Sequence, residues 1–172
     1  MIRKATQNDI ASVAAIYEAI HSEEEQGRCT TGWLRGIYPT AATAEASLAK
    51  GDLFVMEDGG RIVAAARINQ EQGEEYALAN WEYPAGDAQV MVLHTLVVLP
   101  ECSGRGYGRQ FVTFYEDHAC KQGCKYLRMD TNARNLTARR LYQKLGYKEI
   151  GVVPCNFNGI PGVQLVCLEK KL

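Results

Sequence analysis

The sequence has no long apolar run, no excess of either charge and no paired cysteine spacing, and each absence removes a class of protein. Without roughly 18 or more consecutive apolar residues there is no candidate for a membrane span. The first residues, Met1-Ile2-Arg3-Lys4, enter a strand-like segment rather than the apolar core of a signal peptide, so a cytoplasmic protein with no membrane role is expected. Nineteen basic residues face twenty acidic ones, leaving a net charge of −1 and no broad positive surface for a nucleic-acid backbone. The six cysteines, at 29, 102, 120, 124, 155 and 167, lack CxxC pairs. No disulfide frame is expected of them, and Cys120 and Cys124 lack the second ligand pair that a metal site needs.

What is present is ordinary globular composition, 47% hydrophobic and 23% charged over 172 residues, the size of a single domain covering 1–172. Ile2 to Ala5 reads as a strand, and Thr6-x-x-Asp9 as a capping box opening a helix with Ile10, Val13, Ala14, Tyr17 and Ile20 on its apolar face. From Ser22 to Pro39 the period dissolves. Thr40 can cap a short helix to about Ala49, and Asp52 to Met56 and Arg61 to Ile68 form a hairpin around Asp58-Gly59-Gly60. Residues 69–88 have no steady period and are expected to be a long loop, of the kind that can serve as a lid.

Gln89 to Val98 has the near-continuous apolar character of a central strand covered on both faces. Phe111, Phe114, Tyr115, His118 and Ala119 then recur at helical spacing, with Gly123 placed to end that helix. Lys125 to Met129 is a strand, and Asn135 caps a helix whose stripe is Ala138, Leu141, Tyr142 and Leu145. Lys148 to Val153 and Val163 to Glu169 close the chain as a strand pair around Asn158-Gly159. The order predicts an α/β (α+β mixed) domain, with a mixed, mostly antiparallel central sheet and helices on both faces.

Between the central strand and its helix lies Gly104-Arg105-Gly106-Tyr107-Gly108. Glycines there let the backbone approach a ligand, and consecutive N–H groups at a helix N-terminus favour an anion; a plain tight turn is the other reading. The spacing is wrong for the G-x-G-x-x-G of a dinucleotide fold, and Arg109-Gln110 stands where a P-loop has Lys-Ser/Thr.

The stretch Leu96-Val97-Val98-Leu99-Pro100-Glu101-Cys102-Ser103-Gly104-Arg105-Gly106-Tyr107-Gly108 resembles the acetyl-CoA motif of the GNAT N-acetyltransferases, of type Q/R-x-x-G-x-G/A. Asn135-Leu136-Thr137-Ala138-Arg139-Arg140-Leu141-Tyr142 and Gly146-Tyr147 are similar to that family's second motif, in family order and separation. The resemblance implies a GNAT-like fold and an N-acetyltransferase moving acetyl from acetyl-CoA to a primary amine of a small molecule or peptide, by direct attack in a ternary complex. It implies that Leu96, Val97 and Val98 hold the pantetheine and polarise the thioester carbonyl. Ser103, Gly104, Arg105, Gly106, Tyr107, Gly108 and Arg109 would receive the pyrophosphate, with Asn135 and Ala138 contacting the cofactor. Tyr142 would protonate the leaving sulfur, or else be a core aromatic. Ser103 departs from the family's Arg or Gln and loses a long phosphate contact, for which Arg105 and Arg109 are the candidate substitutes.

Gln89 to Val98 contains no acidic residue, where many relatives carry a glutamate base. His94 is the one titratable group on that strand, a candidate base or a satisfied core histidine. A water chain to Glu74, Glu75 or Asp130 is the rival route. Glu23, Glu24, Trp33, Tyr38 and Trp81 are candidates for binding a cationic amine. The reading from another class is a non-catalytic acetyl-CoA sensor, supported by Ser103 and the missing carboxylate. No metal is implied, and the assembly allowed for is a homodimer.

Overall fold

A computed structural model describes residues 1–172. Its elements are β1 (Ile2–Lys4), α1 (Ile10–Glu25), α2 (Ala41–Ala49), β2 (Leu53–Asp58), β3 (Arg61–Asn69), β4 (Val90–Val98), α3 (Tyr107–Lys121), β5 (Tyr126–Asn132), α4 (Leu136–Lys144), β6 (Lys148–Phe157) and β7 (Ile160–Lys171). All seven strands form one sheet in the order β1-β2-β3-β4-β5-β7-β6. Every neighbouring pair is antiparallel except β4 and β5, which run parallel because α3 connects them as a crossover. The mixed, mostly antiparallel sheet expected from the sequence is the one found. No helix is long and apolar enough to cross a membrane, and all six cysteines are free thiols.

Local chemistry sets the boundaries. The Thr6 N–H donates to Asp9 Oδ2 at 2.7 Å, closing the cap, although the first turn it opens is 3-10 and α1 begins only at Ile10. Val13, Ile16, Tyr17 and Ile20 then bury at helical spacing. α1 runs to Glu25, one turn beyond the expected end at Ser22, because Glu24 folds back as the acceptor for the chain that follows. Its carboxylate takes Thr31 N at 2.7 Å, Thr31 Oγ1 at 2.8 Å and Gly32 N at 3.1 Å. The closing hairpin is longer than its apolar pattern suggested, since backbone pairing carries β6 and β7 on to the turn at Phe157 and Ile160.

Two departures from regular sheet position everything else. β4 pairs with β5 only through Val90–Leu93, opposite Tyr126–Met129; β5 continues from Asp130 to Asn132 against β7 alone. On the other side of β4, Ala65 faces Val97 but Arg67 faces His94, so β4 carries an extra residue in a bulge. Thr95 in that bulge has φ 52°, a conformation that a β-branched residue adopts only under constraint. The strands therefore diverge from His94 onward.

The expected lid at 69–88 is instead a strap fixed across the sheet. It contains two short 3-10 turns, Glu74–Leu78 and Asp87–Gln89. Arg128 of β5 fastens it: Nε meets Glu169 Oε1 at 3.1 Å, Nη2 donates to the Tyr83 carbonyl at 2.7 Å and Nη1 to Gln72 Oε1 at 2.5 Å. The guanidinium lies 4.1 Å from the centre of the Trp81 ring, while Glu169 Oε2 accepts the N–H groups of Glu82 and Tyr83. Both charged side chains are buried, 4% and 1% exposed. Removing one partner strands the other charge, so Arg128→Met is expected to cost about 3–5 kcal/mol in urea denaturation, and Arg128→Met with Glu169→Leu distinctly less. A single substitution costing under about 1 kcal/mol, the range of a surface pair, would contradict the anchoring role.

Candidate active site

The loop after β4 is built to present N–H groups. Gly104 and Gly106 have φ 80° and 81°, and a Cβ at either would meet nothing within 4 Å, so the glycines are required by backbone conformation rather than by crowding. Gly108 differs: a Cβ there would come 3.3 Å from Leu141 Cδ2, and its smallness lets the start of α3 sit close to α4. The N–H groups from Gly104 to Arg109 donate to no acceptor within the protein; the next, Gln110, bonds to the Gly106 carbonyl. Six successive unclaimed donors at a helix N-terminus match the phosphates of a nucleotide-like ligand.

This loop borders a cleft of about 660 Å³ that occupies the divergence of β4 and β5. Leu96, Val97 and Val98 form one wall and Asp130, Thr131 and Asn132 the other, with Asn135, Ala138, Leu141 and Tyr142 of the α4 region beside them. Leu99 donates its N–H to Val63 of β3, so by the alternation of a strand the N–H groups of Val98 and Leu96 point the other way, into the cleft. Asn135 Oδ1 accepts the Ala138 N–H at 3.2 Å and fixes the start of α4. Trp33, Tyr38 and Phe157 meet edge to face at centroid distances of 5.9 and 5.7 Å and close the far end, where the Tyr38 and Thr95 hydroxyls are hydrogen-bonded.

Among the titratable groups that line this space, Tyr142 and Asp130 stand beside the parted strands. Tyr142 is 7% exposed, its ring set edge-on to Tyr147, and its hydroxyl has no hydrogen-bond partner in the protein. Removal from water, reinforced by the nearby Asp130 charge, pushes its pKa above the ordinary phenol value, so it stays protonated. Asp130 is the opposite case, a carboxyl raised to about 7 by burial, with neighbouring Glu75 adding to the rise and the Tyr76 hydroxyl opposing it. Tyr76 donates to Asp130 Oδ2 at 2.7 Å, while Oδ1 makes no hydrogen bond. A carboxyl poised near neutrality and a protonated phenol in one cleft form a matched proton acceptor and donor.

Comparison with known proteins decides the family, since residues 14–147 match the Acetyltransferase (GNAT) family. The chain belongs to it. Among its relatives is an uncharacterised N-acetyltransferase of Bacillus subtilis (strain 168), YhfO, 23% identical over 154 residues that cover 86% of this chain and 89% of YhfO. A GNAT-family acetyltransferase from Streptococcus agalactiae 2603 shares the fold with a TM-score of 0.83 at 23% identity, over 100% of this chain and 95% of that one. yncA of Salmonella typhimurium, whose structure contains its cofactor acetyl-CoA, superposes with a TM-score of 0.68 at 20% identity, covering 100% and 93%.

In this acetyltransferase the residues expected to hold the cofactor lie together: Leu96, Val97, Val98, Ser103, Gly108, Asn135, Ala138 and Tyr142 line the cleft. Arg105 and Arg109 are exposed beside it, and Tyr107 is turned aside, its hydroxyl bonded to Asp58. His94 lies outside the cleft, in a neighbouring cavity. Its Nε2 contacts Asn69 Oδ1 at 3.0 Å; that oxygen also accepts the Glu71 N–H, so Nε2 is the donor and its lone pair is unavailable. Burial and the Arg67 charge lower the His94 pKa to about 4, too weak for a base at neutral pH. Of the expected amine-binding residues, Glu23, Trp33 and Tyr38 reach the cleft. Glu24 is consumed by backbone donors and Trp81 by Arg128, so neither is free for that role. Thr95 carried no sequence signal, because nothing marks a threonine for positive φ.

The acceptor-donor pair predicts a titration. Followed by carboxyl ¹³C shifts, Asp130 should have its midpoint near 7, and Tyr76→Phe should move it upward, because that hydroxyl stabilises the charged form. A midpoint in the ordinary carboxylate range, or a downward shift in Tyr76→Phe, would contradict the assignment.

Proposed function

We propose that this acetyltransferase moves an acetyl group from acetyl-CoA to a primary amine of a small molecule or peptide, by direct attack within a ternary complex. The observation that carries the reading is the cleft in which Asp130 Oδ1 and the Tyr142 hydroxyl, neither engaged by the protein, flank the backbone donors of β4. Acetyl-CoA supplies an activated thioester; the chain supplies position and protons. The free N–H groups from Gly104 to Arg109 bind the pyrophosphate, and those of Leu96 and Val98 bind the pantetheine and polarise the carbonyl, as donors aimed where negative charge develops. Arg105 and Arg109 add charge at the loop and offset the short Ser103 side chain.

An alkylammonium has a pKa of about 10 and must lose a proton before it can form the amide bond. Asp130 accepts that proton. As the carbon–sulfur bond breaks, Tyr142 donates its phenolic proton to the thiolate; the second amine proton, shed by the nitrogen as the amide forms, restores the phenol through solvent, and Asp130 releases the first to bulk water. This places the base on β5, not on β4 where His94 stands. It also weakens the sensor reading, which rested on the want of a carboxylate.

Tyr142→Phe keeps the ring and removes the proton. In a thiol-release assay with acetyl-CoA and a panel of amines, kcat and kcat/KM should fall together by about 10²-fold or more, with CoA affinity little changed. Near-normal single-turnover rates in a folded Tyr142→Phe protein would remove the acid, and tight CoA binding with no amine-dependent release in the native protein would favour the sensor.

A further inference from the structure

Beyond the Tyr38–Thr95 contact lies a second cavity, of about 590 Å³, which shares Tyr38, Thr95, Asp130 and Phe157 with the cleft. Its lining is mostly polar and carries Arg67 and Lys50 against Glu71, Glu75 and Asp130. Arg67 is out of keeping with its strand. It follows five buried residues, Ile62 to Ala66, and its Nε is buried without an acceptor. The one protein acceptor for the guanidinium is Glu71, a side chain more than half exposed that is already shared with Lys50 at 2.8 Å. A fork with five donors, in a cavity and so little used, is fitted to an anion brought by a ligand.

Sheet register aligns Arg67 with the chemistry. Arg67 is paired with His94, so both side chains project from one face of the sheet. Leu93 is paired with Met129, and the next residue on each strand, His94 and Asp130, projects from the opposite face to that pair. Arg67, His94 and Asp130 therefore share a face, with Arg67 and Asp130 on either side of β4, roughly 10 Å apart across two strand spacings. We infer that this cavity receives the acceptor and that Arg67 pairs with its carboxylate, making the substrate a zwitterionic, amino-acid-like amine whose nitrogen reaches Asp130. The inference rests on the acetyl-transfer reading and adds the substrate class.

The charges in the cavity favour a carboxylate over a phosphate. Two cations stand against three carboxyl groups, so a dianion would meet net repulsion whereas a zwitterion brings no net charge. A carboxylate also matches the planar guanidinium in a bidentate pair, displacing the exposed Glu71, which keeps Lys50. His94, neutral above about pH 4, adds a polar wall without a charge.

The experiment is a set of matched triplets: proteinogenic L-amino acids, their carboxamides and their decarboxylated amines, assayed by thiol release at saturating acetyl-CoA. At least one amino acid should exceed both of its partners in kcat/KM by about tenfold or more, the worth of a charge-assisted hydrogen bond. In Arg67→Met that ratio should collapse to within about threefold, chiefly through KM, and Arg67→Lys should retain part of it. Equal rates for acid, amide and amine in every triplet would overturn the inference, as would an unchanged ratio in folded Arg67→Met. If Arg67→Met does not fold, the triplet ratios of the native protein decide. Absence of turnover with all amino acids overturns it too. Turnover of plain amines then shows that acetyl transfer stands without the carboxylate, and no turnover of any amine means that the transfer reading has failed.

Discussion

The structure depends on a ladder that stops. β4 and β5 exchange hydrogen bonds over four residue pairs and then part, leaving backbone donors on the inner edge of β4 facing a cleft inside a domain. Unclaimed backbone N–H groups in a protected setting are costly, and a chain keeps them where a ligand completes the ladder. The bulge at Thr95 turns β4 away, and the Tyr38 hydroxyl holds that strained residue in place. The glycine loop continues the same theme, since two left-handed glycines keep a further six donors free at the start of α3. On the proposed reading cofactor recognition is largely a property of backbone, which would let Ser103 stand in place of a long side chain.

The strap from 70 to 89 has a chemical consequence. Arg128 and Glu169 form a buried ion pair that gathers Gln72, Trp81, Glu82 and Tyr83, and the segment so fixed lays Tyr76 on Asp130. Burial raises the carboxyl, and the tyrosine restrains the rise so that it ends near neutrality. The proposed proton acceptor is tuned by a fixed loop, and the proposed donor Tyr142 by its burial on α4. Two groups taken out of water by different elements share one cleft, a carboxyl raised to about 7 and a phenol that stays protonated.

Element order, the mixed, mostly antiparallel sheet and the glycine loop before α3 were legible because each rests on local signals: capping at Thr6, Thr40 and Asn135, glycines at the loop, apolar period elsewhere. The place of Tyr142 in the cleft was legible through its motif. The proposed base was not. His94 drew attention as the titratable group on β4, yet it lies in the neighbouring cavity rather than the cleft, and Asn69 occupies its Nε2. Asp130 owes its character to burial, moderated by a hydrogen bond from Tyr76, 54 residues away, and no local pattern reports either. Likewise the unpatterned segment 69–88 read as a lid because the ion pair that pins it joins residues far apart in sequence.

The central claim, that the parting of β4 and β5 is the cofactor's place, is tested most directly by backbone amide NMR with and without CoA. The account predicts that the resonances of Leu96, Val98 and Gly104 to Arg109 shift and gain exchange protection, while those of Val90 to Leu93, already paired to β5, stay as they were. Saturable CoA binding that leaves Leu96, Val98 and the glycine loop unperturbed, with its shifts on another surface, would contradict it.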